Sequence, residues 1–103
     1  MQHVITEPPD GARIQVAPGD EVVLRLGQQS GGGYLWTLAE VPQFLTVLAS
    51  EVEQVERAQP GLLRTAALGL RATRAGTGDV VVTLRRPWEV EPVEQRRIHI
   101  EVR

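Results

Sequence analysis

Apolar and polar side chains alternate along most of this chain. Ile14 and Val16 alternate with Arg13 and Gln15, Val22, Leu24 and Leu26 share one parity, and Ile98, Ile100 and Val102 alternate with Arg97, His99 and Glu101. A period of two sends successive side chains to opposite faces, so each stretch reads as a strand with one face buried and one wet. Tyr34, Trp36 and Leu38 repeat the pattern, as do Leu68, Leu70 and Ala72, and Val80, Val82 and Leu84. Turn chemistry separates the runs: PPDGA at 8–12, APGDE at 17–21, RAGTGD at 74–79, and the prolines Pro87 and Pro92. Only between Leu45 and Glu56 is the period ambiguous between helix and strand, and there the second half, 50–56, is read as a strand. The predicted strands run over roughly 13–17, 21–26, 34–38, 50–56, 65–72, 79–85 and 96–102. About seven short strands with polar turns predict an all-β fold, an immunoglobulin-like antiparallel β-sandwich. At 103 residues the chain, 1–103, is read as one domain.

If successive strands run in opposite directions, every second connection lies at the same end. That gathers GQQSGGGY, RAQPGLLR and RRPWEVEPVEQ at one end and leaves only tight turns such as APGD and RAGTGD at the other. An elaborated end opposite an economical one suits a scaffold that binds through loops. Within the first of these loops, Gly31, Gly32 and Gly33 stand directly before Tyr34 and Trp36, two of only four aromatic residues. A buried strand disfavours such a glycine run, so it reads as a shaped loop anchored by aromatics or as a plain flexible connection. Tyr34, Trp36 and Phe44 read as core or core-edge residues. Pro87 cannot continue a central strand, so Trp88 is expected on the loop beyond Arg86, among Glu89, Glu91 and Glu94. There it serves as an interface anchor or folds back onto the core.

Composition narrows the function classes. With no cysteine, the chain has no disulfide, thiolate metal site or cysteine nucleophile. Its eleven basic residues are all arginine and are outweighed by thirteen carboxylates, for a net charge of -2. No basic field for nucleic acid and no membrane anchor follow from that balance, and no apolar run is long enough to span a bilayer. His3 and His99 lie near opposite termini and the only serines are Ser30 and Ser50, so no catalytic constellation, metal site or cofactor site is expected. SGGG lacks the lysine and the following helix of a phosphate-binding loop. Localisation is left open: cytoplasmic, or periplasmic or secreted if a signal segment was removed.

The order strand, glycine loop, GYLW, a long middle and then LGLRATRAGTGDVVVTLRRPWE resembles the chagasin-type family of inhibitors of papain-like cysteine proteases, from about Val22 to Val102. The likeness is most specific at Gly33, Tyr34 and Trp36, at Gly76, and at Arg86-Pro87-Trp88. It implies an immunoglobulin-like sandwich acting as a monomer, a reversible, non-covalent inhibitor that occludes the protease cleft with three loops. The implied wedge is Ser30, Gly31, Gly32 and Gly33, flanked by Pro60, Gly61, Leu62 and Leu63 and by Arg86, Pro87 and Trp88. The sequence departs from the family pattern where Gln29-Ser30-Gly31-Gly32 replace Asn-Pro-Thr-Thr, and only Gly61 remains of a glycine-rich second loop. Mobile glycines carry an ordering cost of roughly 1 kcal/mol for each residue fixed, so a weaker inhibitor, or one tuned to another protease, is expected. The alternative is a non-inhibitory binding module that uses the same loops for another protein or a glycan.

Overall fold

The computed structural model describes residues 1–29, 33–53 and 63–103, without the side chains of 28, 29, 49–53, 63 and 64. The described strands are β1 (Gln2–Thr6), β2 (Ala12–Val16), β3 (Glu21–Gln29), β4 (Leu35–Glu40), β5 (Leu45–Glu53), β6 (Leu63–Ala72), β7 (Gly76–Arg85) and β8 (Glu94–Val102). They form two four-stranded sheets, ordered β1-β3-β6-β5 and β2-β8-β7-β4. The core lies between the sheets and is built by the alternation. Val22, Leu24 and Leu26 of β3 and Leu68 and Leu70 of β6 are buried with Val80 and Val82 of β7 and Ile98 and Ile100 of β8. Each such side chain contributes about 1.5–3 kcal/mol by leaving water, which makes the parity of each strand energetically decisive.

Three features differ from the sequence reading, each for a physical reason. The added strand β1 carries polar Gln2, His3 and Thr6, and only Ile5 packs against the core, so its apolar signal is too thin to read. β1 pairs parallel with β3, and β2 pairs parallel with β8. The chain crosses from one sheet to the other between β1 and β2 and back again before β3, so neither pair can be a hairpin; the remaining pairings are antiparallel. Finally, β5 begins at Leu45 rather than 50. Its register shifts between Val47 and Ala49, and the bulge leaves both Val47 and Leu48 exposed, which breaks the period.

Phe44 is buried just before β5 and explains two glycines on β7. A Cβ at Gly76 would stand 2.6 Å from the Phe44 ring, and one at Gly78 would stand 3.0 Å from Pro42. The ring therefore occupies space that side chains on β7 would otherwise fill.

Candidate functional site

Strand pairing locates the loop-bearing end. Gln29, the last residue of β3, pairs with Leu63, the first of β6. Leu35, the first of β4, pairs with Arg85, the last of β7. The β3–β4, β5–β6 and β7–β8 connections therefore leave the same end of the sandwich. Ser30, Gly31, Gly32, Pro60, Gly61 and Leu62 lie outside the described residues, and Leu63 is described only as the start of β6. Gly33, Arg86, Pro87 and Trp88 are described, and Trp88 meets both Gly33 and Arg86.

The β7–β8 loop opens with a tight turn. Pro87 presets the backbone at its second position, and the Glu89 amide donates to the Arg86 carbonyl at 3.0 Å. Arg85 donates from Nη1 to the Glu89 carbonyl at 2.8 Å, and the Arg86 guanidinium is ion-paired with the Glu89 carboxylate. The Val93 amide closes the loop base on the Leu84 carbonyl at 2.8 Å. This scaffold holds Trp88 outward with 69% of its surface exposed, so the fold-back reading of this residue does not hold. Val90 and Val93 beyond it are exposed as well.

Trp88 is nevertheless held. Gly33 has φ of 77°, in the left-handed region that favours glycine. A Cβ there would stand 2.8 Å from Cη2 of Trp88, so the indole edge rests directly on the glycine. The Arg86 guanidinium carbon lies 4.9 Å from the Tyr34 ring centroid and 5.5 Å from that of Trp88. Both distances are within cation–π range.

A second group of contacts, not anticipated from the sequence, braces the base of the first loop. Trp36 is buried on β4, and its Nε1 donates to the Gly27 carbonyl on β3 at 2.9 Å, tying the two sheets together. The Gly27 amide in turn donates to the Glu7 carboxylate. Arg96 lies over Trp36 at 4.8 Å and pairs with Glu94 at 2.6 Å and Glu7 at 3.0 Å. It also donates to the Pro8 carbonyl at 3.3 Å. A Cβ at Gly27 would stand 2.9 Å from the Glu7 carboxylate, so glycine is what lets the acid approach. Arg96 could have been noticed: it occupies the parity of Ile98, Ile100 and Val102, where alternation calls for an apolar residue. Glu7 and Gly27 carry no comparable signal.

The end as a whole presents an exposed tryptophan on a stiff turn, beside a glycine-rich connection with a braced base. Such an arrangement supplies apolar contact area and close backbone approach. The described residues contain no group of three or more His, Asp or Glu side chains placed to hold a metal ion.

A family model described as chagasin family peptidase inhibitor matches residues 15–102. The fold is shared by a cysteine protease inhibitor from Entamoeba histolytica, with TM-score 0.86 and 20% identity, covering 99% of this chain and 96% of that one. Amebosin, a solution structure, gives TM-score 0.83 and 21% identity over 100% of this chain and 99% of its own. PbICP-C, in its complex with falcipain-2, gives TM-score 0.58 and 20% identity over 100% and 90% respectively. None of the curated proteins compared matches the chain.

Proposed function

The chain belongs to the chagasin family of peptidase inhibitors, and from that premise we propose that its loop-bearing end enters the active-site cleft of a papain-like cysteine protease. The protein is an inhibitor of such proteases and not an enzyme; in this proposal it acts as a monomer. The proposed contacting segments are Ser30, Gly31, Gly32 and Gly33 at the centre, with Pro60, Gly61, Leu62 and Leu63 on one side and, on the other, Pro87 and Trp88 on the turn that Arg86 opens. The observation that carries this assignment is the exposed Trp88, held on a closed turn next to the glycine-rich connection.

Physical reasons favour the arrangement. A tryptophan already fixed in place gives up little conformational freedom on docking, so most of its burial is retained as affinity. Glycines let backbone approach the walls of a narrow groove. A loop that crosses the catalytic centre without presenting a peptide bond in attack geometry blocks substrate and is not cut.

Titration into papain with a chromogenic substrate tests the proposal. Competitive inhibition is expected, and Trp88→Ala is expected to weaken it roughly 30-fold, the scale of an interface hot spot. If the folded wild-type protein leaves papain uninhibited at high micromolar concentration, the site proposal fails and a binding module for another partner takes its place.

A further inference from the structure

Of the three described residues of the Arg-Pro-Trp turn, Arg86 is the one whose side chain is engaged in an ion pair and ring contacts within the chain. Its guanidinium is ion-paired with Glu89, its Nε is buried without a hydrogen-bond partner, and its guanidinium carbon is within cation–π range of two aromatic rings. Those rings come from different connections: Tyr34 ends the glycine-rich β3–β4 connection, and Trp88 sits on the β7–β8 loop. Trp88 in turn rests its six-membered ring on Gly33, the residue next to Tyr34, with Cη2, Cζ3 and Cζ2 at 2.8, 3.4 and 3.8 Å from where a Cβ would stand. The contacts close a ring: Gly33, Tyr34, Arg86, Trp88 and back to Gly33.

We infer that Arg86 is a positioning residue of the inhibitory end and not itself a protease contact: within reach of both the Tyr34 and the Trp88 ring, it ties the Gly33–Tyr34 end of the first connection to the third loop before any protease arrives. The inference rests on the inhibitor reading above. A flat guanidinium suits the role because its faces stack on rings while its edge holds a carboxylate; a lysine ammonium keeps the charge but has no plane to stack. The lock holds Gly33 and Tyr34 in one arrangement, and only the fraction of molecules in the docking-competent arrangement can bind. When that fraction falls, the association rate falls with it, while dissociation from the formed complex is unchanged.

The test compares wild type with Arg86→Lys, and with Tyr34→Leu as a second route to the same lock in case the first variant fails to fold. Two readouts are taken: association and dissociation rates on papain, and the NMR shift of the Gly33 Hα protons in the free inhibitor. In wild type the Trp88 ring, resting on Gly33, is expected to displace those protons from random-coil values. In the variants the displacement is expected to collapse and association to slow about tenfold, with dissociation unchanged. An accelerated dissociation with the Gly33 shift intact would make Arg86 a direct contact and overturn the inference; so would wild-type values for both readouts. If wild type leaves papain uninhibited, it is the inhibitor reading that falls, and the Gly33 shift alone then decides whether the lock exists.

Discussion

Gly33 shows how much of this site depends on a single missing Cβ. Gly11, Gly19 and Gly33 all have positive φ, but only Gly33 has anything within 4 Å of the Cβ position. Alanine at any of the three incurs left-handed strain of about 1–2 kcal/mol. At Gly33 the methyl also pushes the indole of Trp88 aside and breaks its contact with Arg86. We expect Gly33→Ala to be about 1 kcal/mol less stable than Gly19→Ala in urea denaturation, the further loss being that of the stacking. Inhibition of papain is expected to weaken more than tenfold in Gly33→Ala and to stay at the wild-type level in Gly19→Ala. Equal inhibition by the two would mean that the Gly33–Trp88 contact is irrelevant to docking. Sequence reading singled out both residues, one for its place in a glycine run and one for the proline before it. Their contact was not legible, because it joins positions 55 residues apart through a side chain whose direction only the folded turn determines.

Whole strands were legible where alternation is clean and faint where another rule competes. β3 from Val22 to Leu26, β7 from Val80 to Leu84 and β8 from Ile98 to Val102 each present a clean apolar parity, and the sheets follow from them. β5 loses its period at the bulge, and β1 buries too little to declare itself. The inward position of Arg96 on β8 is a different kind of exception, in which an element breaks its own pattern near a functional end. Its ion pairs join partly exposed carboxylates, since Glu7 and Glu94 are 49% and 44% exposed, so they contribute little. The larger share comes from the guanidinium over Trp36. Arg96→Met keeps the stem and removes the charge, and it is expected to lower stability by about 1 kcal/mol in urea denaturation. The same variant is expected to speed amide exchange at Gly27, whose carbonyl the Trp36 indole holds. Unchanged exchange there would show that Trp36 needs no support from Arg96.

Across the whole molecule, the loop end and the opposite end answer to different chemistry. Asp20 closes the turn before β3, at the end away from the loops. There its carboxylate takes His3 Nε2 at 2.9 Å, the Ala17 amide at 3.0 Å and the N-terminal ammonium at 3.2 Å. The hydrogen bond from His3, then that from Ala17, lower its pKa from 3.8 to about 2. Asp79, near the start of β7, is likewise lowered, first by His99 at 2.8 Å and then by Arg97 at 3.2 Å. A carboxylate held below its unfolded pKa binds fewer protons in the folded state. Its stabilisation is therefore complete above about pH 4 and is lost as the pH falls toward about 2. Thermal melts should show Asp20→Asn below wild type at neutral pH, with the gap closing between pH 4 and pH 2. A gap that stays constant through that window would mean that the Asp20 charge plays no part in holding β1 against the β2–β3 turn. Because neither acid touches Gly33, Arg86 or Trp88, Asp20→Asn should inhibit papain at pH 6 as wild type does, which separates the stability of the scaffold from the action of its loops.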